Sequence, residues 1–176
     1  MTSHRLVECT ADRHAGAILD IFNEAILNST AIYEYEPRTP EWMVGWFEDK
    51  RRGNYPVVGI EDAAGQLLGF ATYGVFRARP AYKYSVEHSV YVHTAHRGKG
   101  VGKALLNEVI GRARAQGYHV LVGGIDLGNE ASIVFHERAG FTHAGTVRQV
   151  AFKFGRWLDL AFYQLILDTP ANPLDG

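Results

Sequence analysis

Residues 85–117 read SVEHSVYVHTAHRGKGVGKALLNEVIGRARAQG, and this order of alternating strand, glycine-rich turn and amphipathic helix decides how the rest of the chain is read. From Ser85 to His93 the side chains alternate, with Val86, His88, Val90 and Val92 on one face and Glu87, Ser89, Tyr91 and His93 on the other. That is the period of a strand. After the turn, Leu105, Leu106, Val109, Ile110 and Ala113 recur at helical spacing, and Gly117 stands where a left-handed residue ends a helix. The turn itself is Arg97-Gly98-Lys99-Gly100-Val101-Gly102. Closely spaced glycines let successive N–H groups point at one anion, and the helix that follows adds its unpaired first-turn N–H groups and the positive end of its dipole. Arg97, Lys99 and Lys103 add charge. The plain alternative is a glycine turn with no ligand.

Two familiar phosphate loops fail the test. The mononucleotide pattern G-x-x-x-x-G-K-[ST] breaks because Lys103 is followed by Ala104 and position 97 is arginine. The dinucleotide pattern G-x-G-x-x-G is not the G-x-G-x-G found here, and no suitable acidic residue follows about 20 positions on.

Outward from this centre the chain reads as one α/β domain. Upstream come a short strand at Arg5 to Cys9 and a helix capped by Thr10 or Asp12 and running to about Asn28. A proline-bounded aromatic and acidic loop, Ser29 to Pro40, leads to a second helix that ends before Gly53. Strands at Val57 to Glu61 and Leu67 to Phe76 are joined by the turn Asp62 to Gly65. Downstream, Val120 to Ile125 has almost no polar residue and reads as a strand buried on both faces. Asn129 caps a short helix ending at Gly140, and strands at Phe141 to Val150 and Trp157 to Leu167 follow. The domain is expected over residues 3–168, with a flexible tail over 169–176.

The composition suits this reading. The chain has 176 residues, 47% hydrophobic and 21% charged, which is room for one core. With 18 basic and 19 acidic residues there is no excess charge to neutralise phosphates, so nucleic acid is not expected as a partner. No apolar run reaches the roughly 20 residues of a membrane span, and no secretory leader is evident, so the expected location is the cytoplasm. Cys9 is the single cysteine and forms no internal disulfide. His88, His93 and His96 cluster in sequence, but His88 and His93 fall on opposite strand faces, and no metal is expected.

Arg97, Gly100 and Gly102 match the acyl-CoA loop R/Q-x-x-G-x-G/A, and with the Val90-Tyr91-Val92 strand end, the Asn129 to Ser132 helix start and Ala139-Gly140-Phe141 they resemble the GNAT family of N-acetyltransferases. Val86 to Val92, Asn129 to Ser132 with His136, and Phe152 to Asp159 are similar to its phosphinothricin and methionine sulfoximine acetyltransferase branch. The resemblance covers nearly the whole chain. It implies the acyl-CoA N-acyltransferase fold, a mixed and mostly antiparallel twisted sheet flanked by helices. It also implies acetyl-CoA as co-substrate and acetyl transfer to the amine of a small amino-acid-like molecule.

The same resemblance distributes roles. Glu87 is the expected general base, since an amine attacks a thioester only as the free base. An N–H at Val90 or Tyr91 is the expected donor to the thioester oxygen. Val90, Tyr91 and Val92 would line the pantetheine arm, and Gly98, Lys99, Gly100, Val101, Gly102 and Lys103, with Arg97, would hold the pyrophosphate. Asn129, Ser132 and His136 would meet the cofactor, with His136 either the acid for the departing thiolate or a packing residue. Arg77 or Arg79 would clamp a substrate carboxylate, with Lys83 as substitute. Ala78 belongs to the same loop, and Phe76, Tyr82, Tyr33 and Tyr35 would wall the pocket. The segment from Lys153 to Trp157 with the last strand implies a homodimer. Two other readings stay open: the same fold acetylating a protein N-terminus or another amine, and a non-catalytic acyl-CoA sensor.

Overall fold

The computed structural model describes residues 4–175; the expected domain start at residue 3 and the tail's last residue, Gly176, lie outside the described residues. The elements run β1 (Arg5–Glu8), α1 (Ala11–Asn28), α2 (Pro40–Arg52), β2 (Val57–Glu61), β3 (Leu67–Val75), β4 (Ser85–Val92), α3 (Val101–Ala115), β5 (Val120–Asp126), α4 (Glu130–Arg138), β6 (Thr142–Lys153) and β7 (Arg156–Ile166). The seven strands form one sheet in the order β1-β2-β3-β4-β5-β7-β6. Every pairing is antiparallel except β4 with β5. The mixed, mostly antiparallel α/β architecture is therefore the one the sequence implies.

Alternation along the strands puts a core on each side of the sheet. On one side Ile18, Phe22 and Ile26 of α1 and Met43 of α2 pack against Val57, Leu67 and Phe70. On the other, Leu105, Leu106 and Val109 of α3 pack against Ile60, Ala71, Val86 and Leu121. Each fully buried side chain of this size stabilises the fold by about 1.5–3 kcal/mol. β4 obeys the division its sequence announces: Val90 and Val92 lie on the α3 side and Tyr91 on the α1 side.

Local signals behave as their chemistry requires. Thr39 accepts from the Trp42 amide and Pro40 opens α2. Asn129 accepts from the Ser132 amide at the start of α4. Thr10 occupies the cap position of α1 without a side-chain bond. β6 runs further than its apolar pattern suggests, to Lys153, with a register shift between Val147 and Ala151. Phe154 and Gly155 (φ 51° and 71°) then turn the chain into β7, two left-handed residues as a tight hairpin needs. Residues 167–175 hold no regular element, yet the Tyr84 hydroxyl receives the Leu174 amide at 3.0 Å and Arg114 pairs with Asp168 at 2.9 Å.

Candidate active site

β4 and β5 begin side by side and then part. Their parallel pairing covers only Ser85–Glu87 against Val120–Val122, although β4 continues to Val92 and β5 to Asp126. Beyond that point β4 is bonded only to β3, and β5 only to β7. An opening lies in the middle of the sheet, and main-chain groups in such an opening call for an extended partner. It leads into a cleft of ≈ 760 Å³ lined by Val90, Tyr91 and Val92, by Arg97, Gly98, Gly100, Gly102 and Lys103, and by Asn129, Ser132 and His136. A small recess at its inner end is walled by His88 to Tyr91 on one side and Gly123 to Asp126 on the other.

The glycine turn forms the cleft's outer end. Gly98 and Gly100 adopt φ of 74° and 83°, a region closed to most side chains, and a Cβ on either would meet nothing within 4 Å. The turn therefore presents main chain to open space at the N-terminus of α3, which suits a pyrophosphate. A cleft whose outer end is a turn suited to an anion, joined to a gap with room for a strand-like arm, has the form an acyl-coenzyme A would need. The flanking cations differ in posture. Arg97 donates to the Val92 oxygen and to Glu24, and Lys99 folds back on the Ala95 oxygen. Lys103 lines the cleft. Val101 is a core residue, 1% exposed, and only its main chain can meet a ligand.

Two glycines on β5 explain how Glu87 and His88 fit. A Cβ at Gly124 would stand 3.2 Å from Glu87 Oε1, and one at Gly123 would stand 2.9 Å from His88 Cε1. Adjacent strand residues face opposite ways, so the pair makes room for the Glu87 carboxylate on one face and the His88 ring on the other. Burial raises the Glu87 pKa above the usual carboxylate range, and the nearby Arg77 charge opposes that rise. Arg77, Ala78, Arg79, Tyr82 and Lys83 are exposed on the β3–β4 connection, outside the cleft. Phe76 packs edge-on against Tyr82 and Phe162.

His136 projects from α4 into the recess, where Phe141 packs on it. Its Nε2 lies 2.9 Å from Nε2 of His88, and both rings are buried. The sequence gives His88 only a place on a strand face; its meeting with His136, 48 residues away, is a product of packing. His93 and His96 pack against each other instead, their rings tilted at 52°. Among the described residues no group of three or more His, Cys, Asp or Glu converges as a metal site.

The loop after α1 closes the inner end. Lys153, 4% exposed, donates to the oxygens of Ile26, Ser29 and Ile32 at 2.6, 2.9 and 2.7 Å. The Thr30 hydroxyl bonds to buried Asp126, and Tyr35 donates to the Phe152 oxygen at 2.6 Å. Among the described residues the buried Tyr33 hydroxyl finds no hydrogen-bond partner, and burial pushes its pKa up to about 12. Asp126, Gly123, Gly124 and His88, which line the recess, and Lys153, which braces the loop beside it, are the candidate-site features that sequence reasoning misses. The one local signal for them was two adjacent glycines inside an apolar strand.

The profile of the acetyltransferase (GNAT) family matches residues 18–141. An L-methionine sulfoximine/L-methionine sulfone acetyltransferase of Pseudomonas aeruginosa is 50% identical over 151 residues, covering 86% of this chain and 88% of that protein. A solved chain from Acinetobacter baylyi superimposes with a TM-score of 0.99 at 57% identity, with coverage of 100% and 99%. A GNAT superfamily phosphinothricin acetyltransferase of Sinorhizobium meliloti, solved in complex with acetyl-CoA, superimposes with a TM-score of 0.91 at 36% identity, covering 97% of this chain and 92% of that one. With the split sheet, the glycine turn and the recess behind it, these likenesses establish that the chain belongs to the acetyltransferase (GNAT) family, within the branch of methionine sulfoximine and phosphinothricin N-acetyltransferases.

Proposed function

We propose that this enzyme transfers the acetyl group of acetyl-CoA directly to the α-amino group of a methionine sulfoximine, methionine sulfone or phosphinothricin type of amino acid. The observation that carries the proposal is the Glu87 carboxylate, half-buried and seated over Gly124 where β4 and β5 separate. Acetyl-CoA, when bound, supplies the activated thioester. Gly98, Gly100 and Gly102 would hold its pyrophosphate, and Val90 to Val92 its pantetheine arm. The raised pKa of Glu87 brings its basicity closer to that of the ammonium whose proton it removes. A main-chain N–H of Val90 or Tyr91 is the donor for the oxygen that gains charge. Arg77 would attract the substrate's carboxylate toward Glu87, a role supported by its lowering effect on the Glu87 pKa. Arg79, Tyr82 and Tyr33 would meet the amino acid beyond the cleft.

The enzyme is further proposed to work in the cytoplasm as a homodimer. Phe152, Phe154 and Trp157 stay exposed at the β6–β7 turn, and large apolar groups so grouped mark a contact surface.

A thiol-release assay over a panel of amines tests the activity. Turnover on methionine sulfoximine or phosphinothricin is the expected result. Turnover confined to peptides or aminoglycosides would overturn the substrate class, and tight coenzyme binding without turnover on any amine would overturn catalysis.

A further inference from the structure

Where β4 and β5 part, the two buried imidazoles pose a problem of proton count. His88 Nδ1 lies 2.9 Å from the Val122 oxygen and His136 Nδ1 lies 2.7 Å from the Ser132 oxygen, while the two Nε2 atoms are 2.9 Å apart. A carbonyl oxygen only accepts, so each Nδ1 contact is a hydrogen bond only when that nitrogen carries hydrogen; the contact between rings needs one more. Two neutral imidazoles bring two hydrogens to three contacts. In the neutral pair one contact sets lone pair against lone pair.

The surroundings oppose the third proton. Burial pushes His88 down to about 3 and lowers His136, and each would feel the other's charge. No ionised partner offsets this from the packed elements. Glu87 of β4 points to the opposite face, over Gly124. Glu137 of α4 accepts from the Tyr163 hydroxyl. Asp126 of β5 lines the recess but is engaged by Thr30 and the Gly128 amide. The pair is one proton short of a complete hydrogen-bond set, and the carboxylate that lines its recess, Asp126, is already taken up by Thr30, the Gly128 amide and Arg156.

We infer that His88 is a positioning residue for the sulfur side of the reaction: with His136 it forms one unit that binds a third proton when the coenzyme's sulfur becomes a thiolate in the β4–β5 opening. The inference rests on the acetyl-transfer reading. The amine nitrogen bonds to the acetyl carbon, the carbon–sulfur bond breaks, and sulfur leaves with the bonding electron pair. The nitrogen sheds one proton before attack and one after, through Glu87 to water. One proton returns from water to the imidazole pair as the thiolate's counter-charge. The Ser132 hydroxyl, 3.4 Å from His136 Nδ1 and lining both cleft and recess, links the pair to the cofactor side.

Histidine 15N NMR at about pH 8, near an ordinary thiol pKa, provides the test, on the protein alone, with acetyl-CoA and with coenzyme A. One protonated nitrogen on each ring is expected for the free protein and the acetyl-CoA complex, and a third proton for the coenzyme A complex. In His88→Asn, whose shorter amide can still donate to the Val122 oxygen, His136 is expected to hold the Nδ1–H form and to gain no proton with coenzyme A. Its kcat on methionine sulfoximine should fall about 100-fold while the KM for the amino acid holds. His88→Gln carries the same comparison if the asparagine variant does not fold. Identical ring spectra in the two coenzyme complexes, or a response that survives in the variant, would overturn the inference. Calorimetry separates the remaining case: a wild-type protein that binds no coenzyme A removes the acetyl-transfer reading and this inference with it.

Discussion

At Glu87 burial and Arg77 pull in opposite directions, and the two neighbours Arg77 and Gly124 can be changed one at a time. A carboxylate is a base only above its pKa, so raising that pKa moves the acid limb of kcat/KM to higher pH than an ordinary glutamate would give. Arg77 lowers the Glu87 pKa; Arg77→Ala should therefore move the acid limb further upward, and should raise KM for amino acids but not for their decarboxylated amines. Equal effects on both substrate types would remove Arg77 from carboxylate recognition. Glu87→Gln should lower kcat by about 10²–10⁴-fold, with partial recovery at alkaline pH where more free amine is present. Gly124→Ala keeps the carboxylate but sets a methyl 3.2 Å from Oε1, a contact the side chain must retreat from. Its kcat should drop about 10-fold or more, with the melting temperature nearly unchanged.

Among the elements, Lys153 carries the clearest consequence. Its ammonium gathers the end of α1 and the loop after it onto β6, and Lys153→Met would leave those carbonyls without that donor. At about 1–3 kcal/mol for each unmet buried group, chemical denaturation should show a loss of about 3 kcal/mol or more. Lys153→Arg should not rescue it, because a planar fork cannot satisfy a three-way cradle. This lysine also marks how far the sequence can be read. β4, the glycine turn and α3 are legible because periods of two and 3.6 residues and the run of glycines are local properties. Asn129 and Thr39 announce their helices for the same reason. The contacts of Lys153 with residues 26–32, and of His88 with His136, join positions far apart in the chain, and neither leaves a periodic trace. Glu87 and the glycine turn are found through their setting; the groups that orient them emerge only when the sheet is assembled.

Taken whole, the molecule should respond to acid through groups it buries neutral or paired. Burial pushes the His88 pKa down from its ordinary 6.5 to about 3, so the unfolded chain binds more protons between those limits and stability declines as pH falls below about 6.5. Glu61 adds to this at lower pH: Arg5, His14 and Arg13 hold its pKa below the ordinary 4.5, and that stability is lost as it protonates. The melting temperature should fall from about pH 6.5 downward, and less steeply in His88→Asn. At neutral pH, light scattering should find a dimer that Trp157→Glu converts to monomer; an unchanged mass would detach the β6–β7 turn from assembly. The parted strands β4 and β5 have a wider consequence. A sheet built with an unfinished seam is completed by whatever extended molecule fills it, and a ligand at 100 times its Kd adds about 2.7 kcal/mol to the folded state. Resistance to proteases should thus rise and fall with the supply of coenzyme, making the abundance of the chain in a cell a gauge of its acyl-carrier pool.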